Sequence, residues 1–63
     1  MYFAKLNDLY VGDYYQTKHG LGEVSLSHDL TDAEQLDKSQ FKLFRKYGFK
    51  IYKFQEIEVA EDE

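Results

Sequence analysis

The sequence predicts an α+β fold: a small antiparallel-dominated sheet with one helix packed on one of its faces. Three observations carry this. Asp37 to Tyr47 reads as a capped amphipathic helix, Gly48 stops it, and β-prone runs lie on both sides. The expected order is β-β-β, a short helical turn, α, β.

The first two runs are Tyr2–Leu6 and Leu9–Val11, separated by Asn7-Asp8. Both turn residues tolerate positive φ, so a tight hairpin is expected. Leu6 and Leu9 would face each other there, with Ala4 and Val11 on the same face and Phe3 and Tyr10 on the other. Gly12-Asp13 marks a bulge or strand end, with Tyr14-Tyr15 as an extension. Residues 16–22 (QTKHGLG) read as a loop, and 23–27 (EVSLS) as a third strand with Val24 and Leu26 inward.

Two helix starts follow. Thr31 and Glu34 have capping-box spacing, as do Asp37 and Gln40. Leu36 and Phe41 flank the second box as a hydrophobic staple. The helix, Lys38 to Tyr47, sets Phe41, Leu43, Phe44 and Tyr47 against Lys38, Lys42, Arg45 and Lys46. Gly48 is the expected left-handed C-cap. Phe49–Val59 reads as one last strand, although Phe49, Ile51, Ile57 and Val59 share one phase and Tyr52 and Phe54 the other. Either a bulge switches the phase or both faces carry aromatics, and one short helix covers a single face, which favours the second.

A chain of 63 residues forms one domain at most; residues 1–59 are expected to be that domain and 60–63 a flexible acidic tail. There is no cysteine, so disulfides and cysteine-ligated zinc are excluded and the core rests on apolar side chains, six Tyr and five Phe among them. No signal peptide or membrane-spanning run is visible, which points to a cytoplasmic protein. The net charge of −4 is segregated: residues 1–36 carry two Lys against six acids, 37–53 six cations against Asp37, and 54–63 five acids. Overall acidity argues against a dedicated nucleic-acid binder.

These residues also carry a resemblance. Tyr2-Phe3, Asn7-Asp8, Thr31-Asp32-Ala33 with Leu36, and Gly48-Phe49 resemble the pattern of small uncharacterised proteins encoded by phages and prophages of Gram-positive bacteria. Leu9 departs from it, where glycine is more usual. The resemblance implies a phage-encoded accessory protein and transfers no functional residue.

No catalytic constellation is legible. Ser25, Ser27 and Ser39 have structural roles, and no glycine-rich phosphate loop follows a strand. His19 and His28 match no ligand spacing, and the acids of 29–37 lack a calcium loop's alternation and glycine. No catalytic, cofactor or metal site is therefore expected. Residues 46–54 (KYGFKIYKF) resemble an RNA-binding strand, but Tyr47 and Lys50 break that pattern. The expected function is non-enzymatic: contact with a host or phage protein, or a homodimer, through an aromatic sheet face bearing Tyr10, Tyr52 and Phe54 with Lys50 and Lys53. The alternative is single-stranded nucleic acid stacked on Tyr52 and Phe54 and held by the same lysines.

Overall fold

The computed structural model describes residues 1–61, and the side chain of Phe54 lies outside that description. Its strands are β1 (Tyr2–Leu6), β2 (Leu9–Thr17), β3 (Gly20–Ser27), β4 (Lys50–Lys53) and β5 (Ile57–Glu58), with one α-helix, α1 (Phe41–Lys46). The described strands form a single antiparallel sheet in the order β3-β2-β1-β4-β5. The α+β class stands, with more sheet than expected.

The first hairpin has the expected register. Leu6 pairs with Leu9, and Asn7 takes a φ of +57° in the turn. Beyond Val11 the register of β2 shifts at Gly12-Asp13, and the start of β1 finds another partner. The chain after β3 supplies it: the Glu34 N–H donates to the Val11 carbonyl (2.9 Å) and the Leu36 N–H to the Tyr2 carbonyl (2.8 Å). This segment passes close to Gly12, where a Cβ would stand 3.2 Å from the Asp32 carbonyl oxygen. The breaker thus makes room for a crossing chain.

Residues 16–22 are not a loop. β2 continues to Thr17, Lys18-His19 form a two-residue turn, and β3 begins at Gly20 with a φ of +127°. The Thr17 hydroxyl ties the turn, donating to the Gly20 carbonyl and accepting from the His19 N–H. Glycine serves the turn here without ending the strands. Val24 packs against the core as expected, whereas Leu26 is 41% exposed. The reason is reach: α1 lies over β4 and touches β3 near its start, where the Leu21 N–H donates to the Tyr47 hydroxyl (3.2 Å).

The first helical turn starts earlier than expected. It is a 3₁₀ turn over Leu30–Asp32, capped by Asp29, whose carboxylate accepts from the Thr31 N–H (3.0 Å). Thr31 does not cap, and the Glu34 N–H is engaged with β2 instead. At Asp37 the Gln40 half of the expected box is present, Asp37 donating its N–H to the Gln40 side chain (2.8 Å), while the Gln40 N–H bonds the Asp37 carbonyl (2.9 Å) and the Asp37 carboxylate accepts from the Ser39 hydroxyl (3.0 Å). The first turn, Lys38–Gln40, is 3₁₀, so the α-helical part is only six residues.

The helix ends in a Schellman motif. The Phe49 N–H reaches back to the Phe44 carbonyl and the Gly48 N–H to the Arg45 carbonyl, both at 3.1 Å, with Gly48 at a φ of +90°. The hydrophobic contact typical of this cap joins Phe49 to Phe44, edge to face at 5.7 Å. The core lies between helix and sheet: Phe41, Phe44 and Phe49 meet Ala4, Val11 and Ile51, with Leu36 and Val59 closing the rim.

The segment 49–59 is a hairpin, not one strand. Gln55 and Glu56 both take positive φ (+66° and +56°), which turns the chain back, and β5 pairs with β4 through Tyr52–Glu58 and Lys53–Ile57. Two successive left-handed residues without glycine leave no turn signature in the sequence. Reversal makes Ile51 and Val59 neighbours across the ladder, joined by a 2.8 Å bond from the Val59 N–H to the Ile51 carbonyl. Of the expected tail, Ala60 and Glu61 offer their carbonyls to Arg45, and 62–63 lie outside the described residues. No helix of the described residues is long and apolar enough to cross a membrane.

Candidate functional site

Strand alternation decides what the helix-free face carries. Ala4, Val11 and Ile51 turn toward the helix, so their neighbours turn away from it. The registers Phe3–Tyr52, Lys5–Tyr10, Lys5–Lys50 and Tyr52–Glu58 set these side chains side by side on the far face.

They form a layered cluster. The Phe3 ring lies nearly parallel to Tyr52 (15°, centroids 6.0 Å apart) and tilted against Tyr10 (5.7 Å). The Lys5 ammonium stands 4.7 Å from the Tyr10 centroid and 5.2 Å from that of Tyr52, within cation–π range of both. The positive-φ turn before β5 then swings Glu56 over the group. One of its carboxylate oxygens accepts from the Lys5 ammonium and from the Tyr10 hydroxyl, each at 2.9 Å. Lys5 and Lys50 are direct cross-strand neighbours, a pairing that repels. Each has its own carboxylate: Glu56 for Lys5, and Glu58 for Lys50 at 3.9 Å.

The electrostatics follow from these bonds. Hydrogen bonds from Lys5, then from Tyr10, hold the Glu56 carboxyl below its ordinary 4.5. The bond to Glu56 raises Lys5 above 10.5, and the bond Tyr10 donates to Glu56 raises its phenol above 10.0. A lowered carboxyl contributes stability above its unfolded value and loses it as pH falls through the folded one. A raised lysine contributes below 10.5 and loses its part as pH rises through the folded value. The raised phenol acts in the same direction, because the unfolded chain ionises first above pH 10. Glu56→Gln is therefore expected to flatten the fall in melting temperature on acidification below pH 4.5. Some slope remains from Asp29, whose carboxyl the Thr31 N–H also lowers. Parallel acid limbs in wild type and variant would show that Glu56 is not held this way.

Of the residues expected at the site, Tyr10, Tyr52 and Lys50 come together on this face. Tyr10 is only 7% exposed, sealed by Lys5 and Glu56, while Tyr52 is half-buried and Lys50 exposed. Lys53 belongs to the other side of β4, because it follows Tyr52 in the alternation and pairs with Tyr2, whose ring packs on Phe41. The Phe54 side chain lies outside the described residues. Lys5 and Glu56 are cluster members that sequence reasoning missed. Lys5 was legible as the alternate of Phe3 on β1, whereas Glu56 depends on the unmarked turn.

The basic side of α1 and of the 3₁₀ turn before it is a second surface. Lys38, Lys42, Arg45 and Lys46 line a shallow groove floored by Phe41 and Leu43 and bounded by Glu61. Arg45 is structural: its guanidinium donates to the carbonyls of Val59 (2.8 Å) and Ala60 (2.9 Å) and lies 5.4 Å from the Phe41 ring. Among the described residues, no group of three or more His, Asp or Glu stands close enough to hold a metal ion.

In comparisons with known proteins, no family model matches the chain, and neither a curated protein nor a solved structure matches it.

Proposed function

We propose that the chain is a non-enzymatic interaction module, a phage or prophage accessory protein in kind, that docks on a protein partner through the sheet face around Tyr52. The observation that carries this reading is the closed aromatic cluster. Lys5 lies against Tyr10 and Tyr52, Phe3 lies against both, and Glu56 fixes the ammonium. Bases need accessible ring faces to stack on, and here those faces are shared with the protein's own groups. What faces outward is a half-buried tyrosine between Lys50 and Glu58. A pre-organised aromatic anchor with charges of both signs at its rim suits a protein contact.

The test compares wild type with Tyr52→Ala. Immobilised wild-type chain is expected to retain a protein from nuclease-treated lysate of its native host, and Tyr52→Ala to lose that protein while melting cooperatively. Labelled single-stranded oligonucleotides are expected not to bind at ~0.15 M salt. Micromolar oligonucleotide binding that falls steeply with salt and disappears in Tyr52→Ala would overturn the reading and favour single-stranded nucleic acid.

A further inference from the structure

The two edges of the sheet are treated differently. β5 is two residues long, follows Glu56 and ends in Glu58, and is followed by chain that Arg45 pins. Short, charged edge strands resist pairing with other chains. β3 has eight residues, GLGEVSLS, with no Lys, Arg or Pro and Glu23 as its single charge. No described strand lies beyond it. Its residues Gly22, Glu23, Ser25 and Leu26 are exposed. One outward group is already engaged, the Leu21 N–H on the Tyr47 hydroxyl. The register of β3 shifts between Leu21 and Val24, and the regular stretch after that, Val24–Ser27, is the open part of the edge.

We propose that two copies of this chain join edge to edge along β3, antiparallel about Ser25, into one continuous sheet. This rests on the edge and not on the Tyr52 face. Three features select a second copy as the occupant. First, the ends of β3 carry opposite charge: the Lys18-His19 turn at one, Asp29 and Asp32 at the other. Antiparallel pairing directs each copy's cationic turn toward the other's acidic end, whereas parallel pairing sets like against like. Second, a centre at Ser25 places Val24 of each copy opposite Leu26 of the other, so the exposed Leu26 gains an apolar neighbour on the core side of the sheet. Third, this span stops short of Leu21, so the bond to Tyr47 stays intact. Main-chain bonds supply the affinity and the end charges the direction. The contact is small, so the dimer is reversible and concentration-dependent.

Sedimentation equilibrium of the full chain, with amide exchange at low and high concentration, tests this. The expected result is a monomer–dimer equilibrium in which amides within 24–27 exchange more slowly at high concentration. Leu26→Lys, at an exposed position, should remain folded by circular dichroism and sediment as a monomer. Lys18→Glu, which turns an acid toward the partner's acidic end, should weaken the dimer about fivefold at low salt and less at high salt. A wild-type chain that stays monomeric would overturn the proposal. So would a dimer that leaves 24–27 unprotected, or one that Tyr52→Ala abolishes and Leu26→Lys does not.

Discussion

Phe44→Ala is expected to leave no cooperative unfolding transition. Phe44 is 0% exposed and is the hub between helix, sheet and C-cap. Its ring meets Tyr14 edge-on at 5.0 Å and Phe49 at 5.7 Å. Its carbonyl accepts from the Tyr47 and Phe49 N–H groups, each at 3.1 Å. Truncating a buried phenylalanine costs ~3–5 kcal/mol. At ~0.05–0.15 kcal/mol per residue, a domain of this size has only ~3–9 kcal/mol to lose. Near-ultraviolet circular dichroism and a thermal melt read the outcome. A cooperative melt displaced by only a few degrees would show that Phe44 is not the keystone of the core.

Gly48→Val is expected to cost ~1–3 kcal/mol through the backbone alone. The separation of causes is clean at this position. Gly48 has a φ of +90°, yet beyond its own chain neighbours no atom lies within 4 Å of where its Cβ would stand. A side chain finds room, and the whole penalty comes from forcing a β-branched residue into the left-handed region. Gly48→Asn should therefore recover much of the loss, because asparagine tolerates that region. Denaturant midpoints of the two variants decide it. Equal losses for Val and Asn would point to a packing role that open space does not provide. Gly20 is the contrast: at a φ of +127° it also lies under the Tyr47 hydroxyl, so strain and collision act together there.

The parts of the fold legible in the sequence are those specified by neighbours in the chain. Asn7-Asp8 announces its hairpin, Asp37 and Gln40 their box, and Gly48 its cap, because each depends on residues within one turn. Alternation along β1 and β2 likewise placed Phe3 and Tyr10 together. The parts that escaped depend on distant contacts. Gln55 and Glu56 adopt positive φ without a turn residue, in a hairpin that pairs with β4 and binds Lys5 and Tyr10. Because that reversal carries no local mark, the last hairpin looked like one strand and Glu56 was invisible as a cluster member. Leu26 was placed inward by pattern alone, and pattern does not say how far a six-residue helix extends across five strands.

β1 lies in the middle of the sheet, with β2 on one side and β4 on the other. The first partnership is local and forms by closing a two-residue turn. The second joins Lys5 to Lys50, so it requires a loop containing most of the chain to close before any of its bonds form. Until then the three-stranded meander has an uncovered face, and β1 presents a second open edge. The distance between these partners slows the search, and an unpaired β1 edge is a place where other chains can add. A protein this small thus carries a kinetic hazard set by the placement of its first strand.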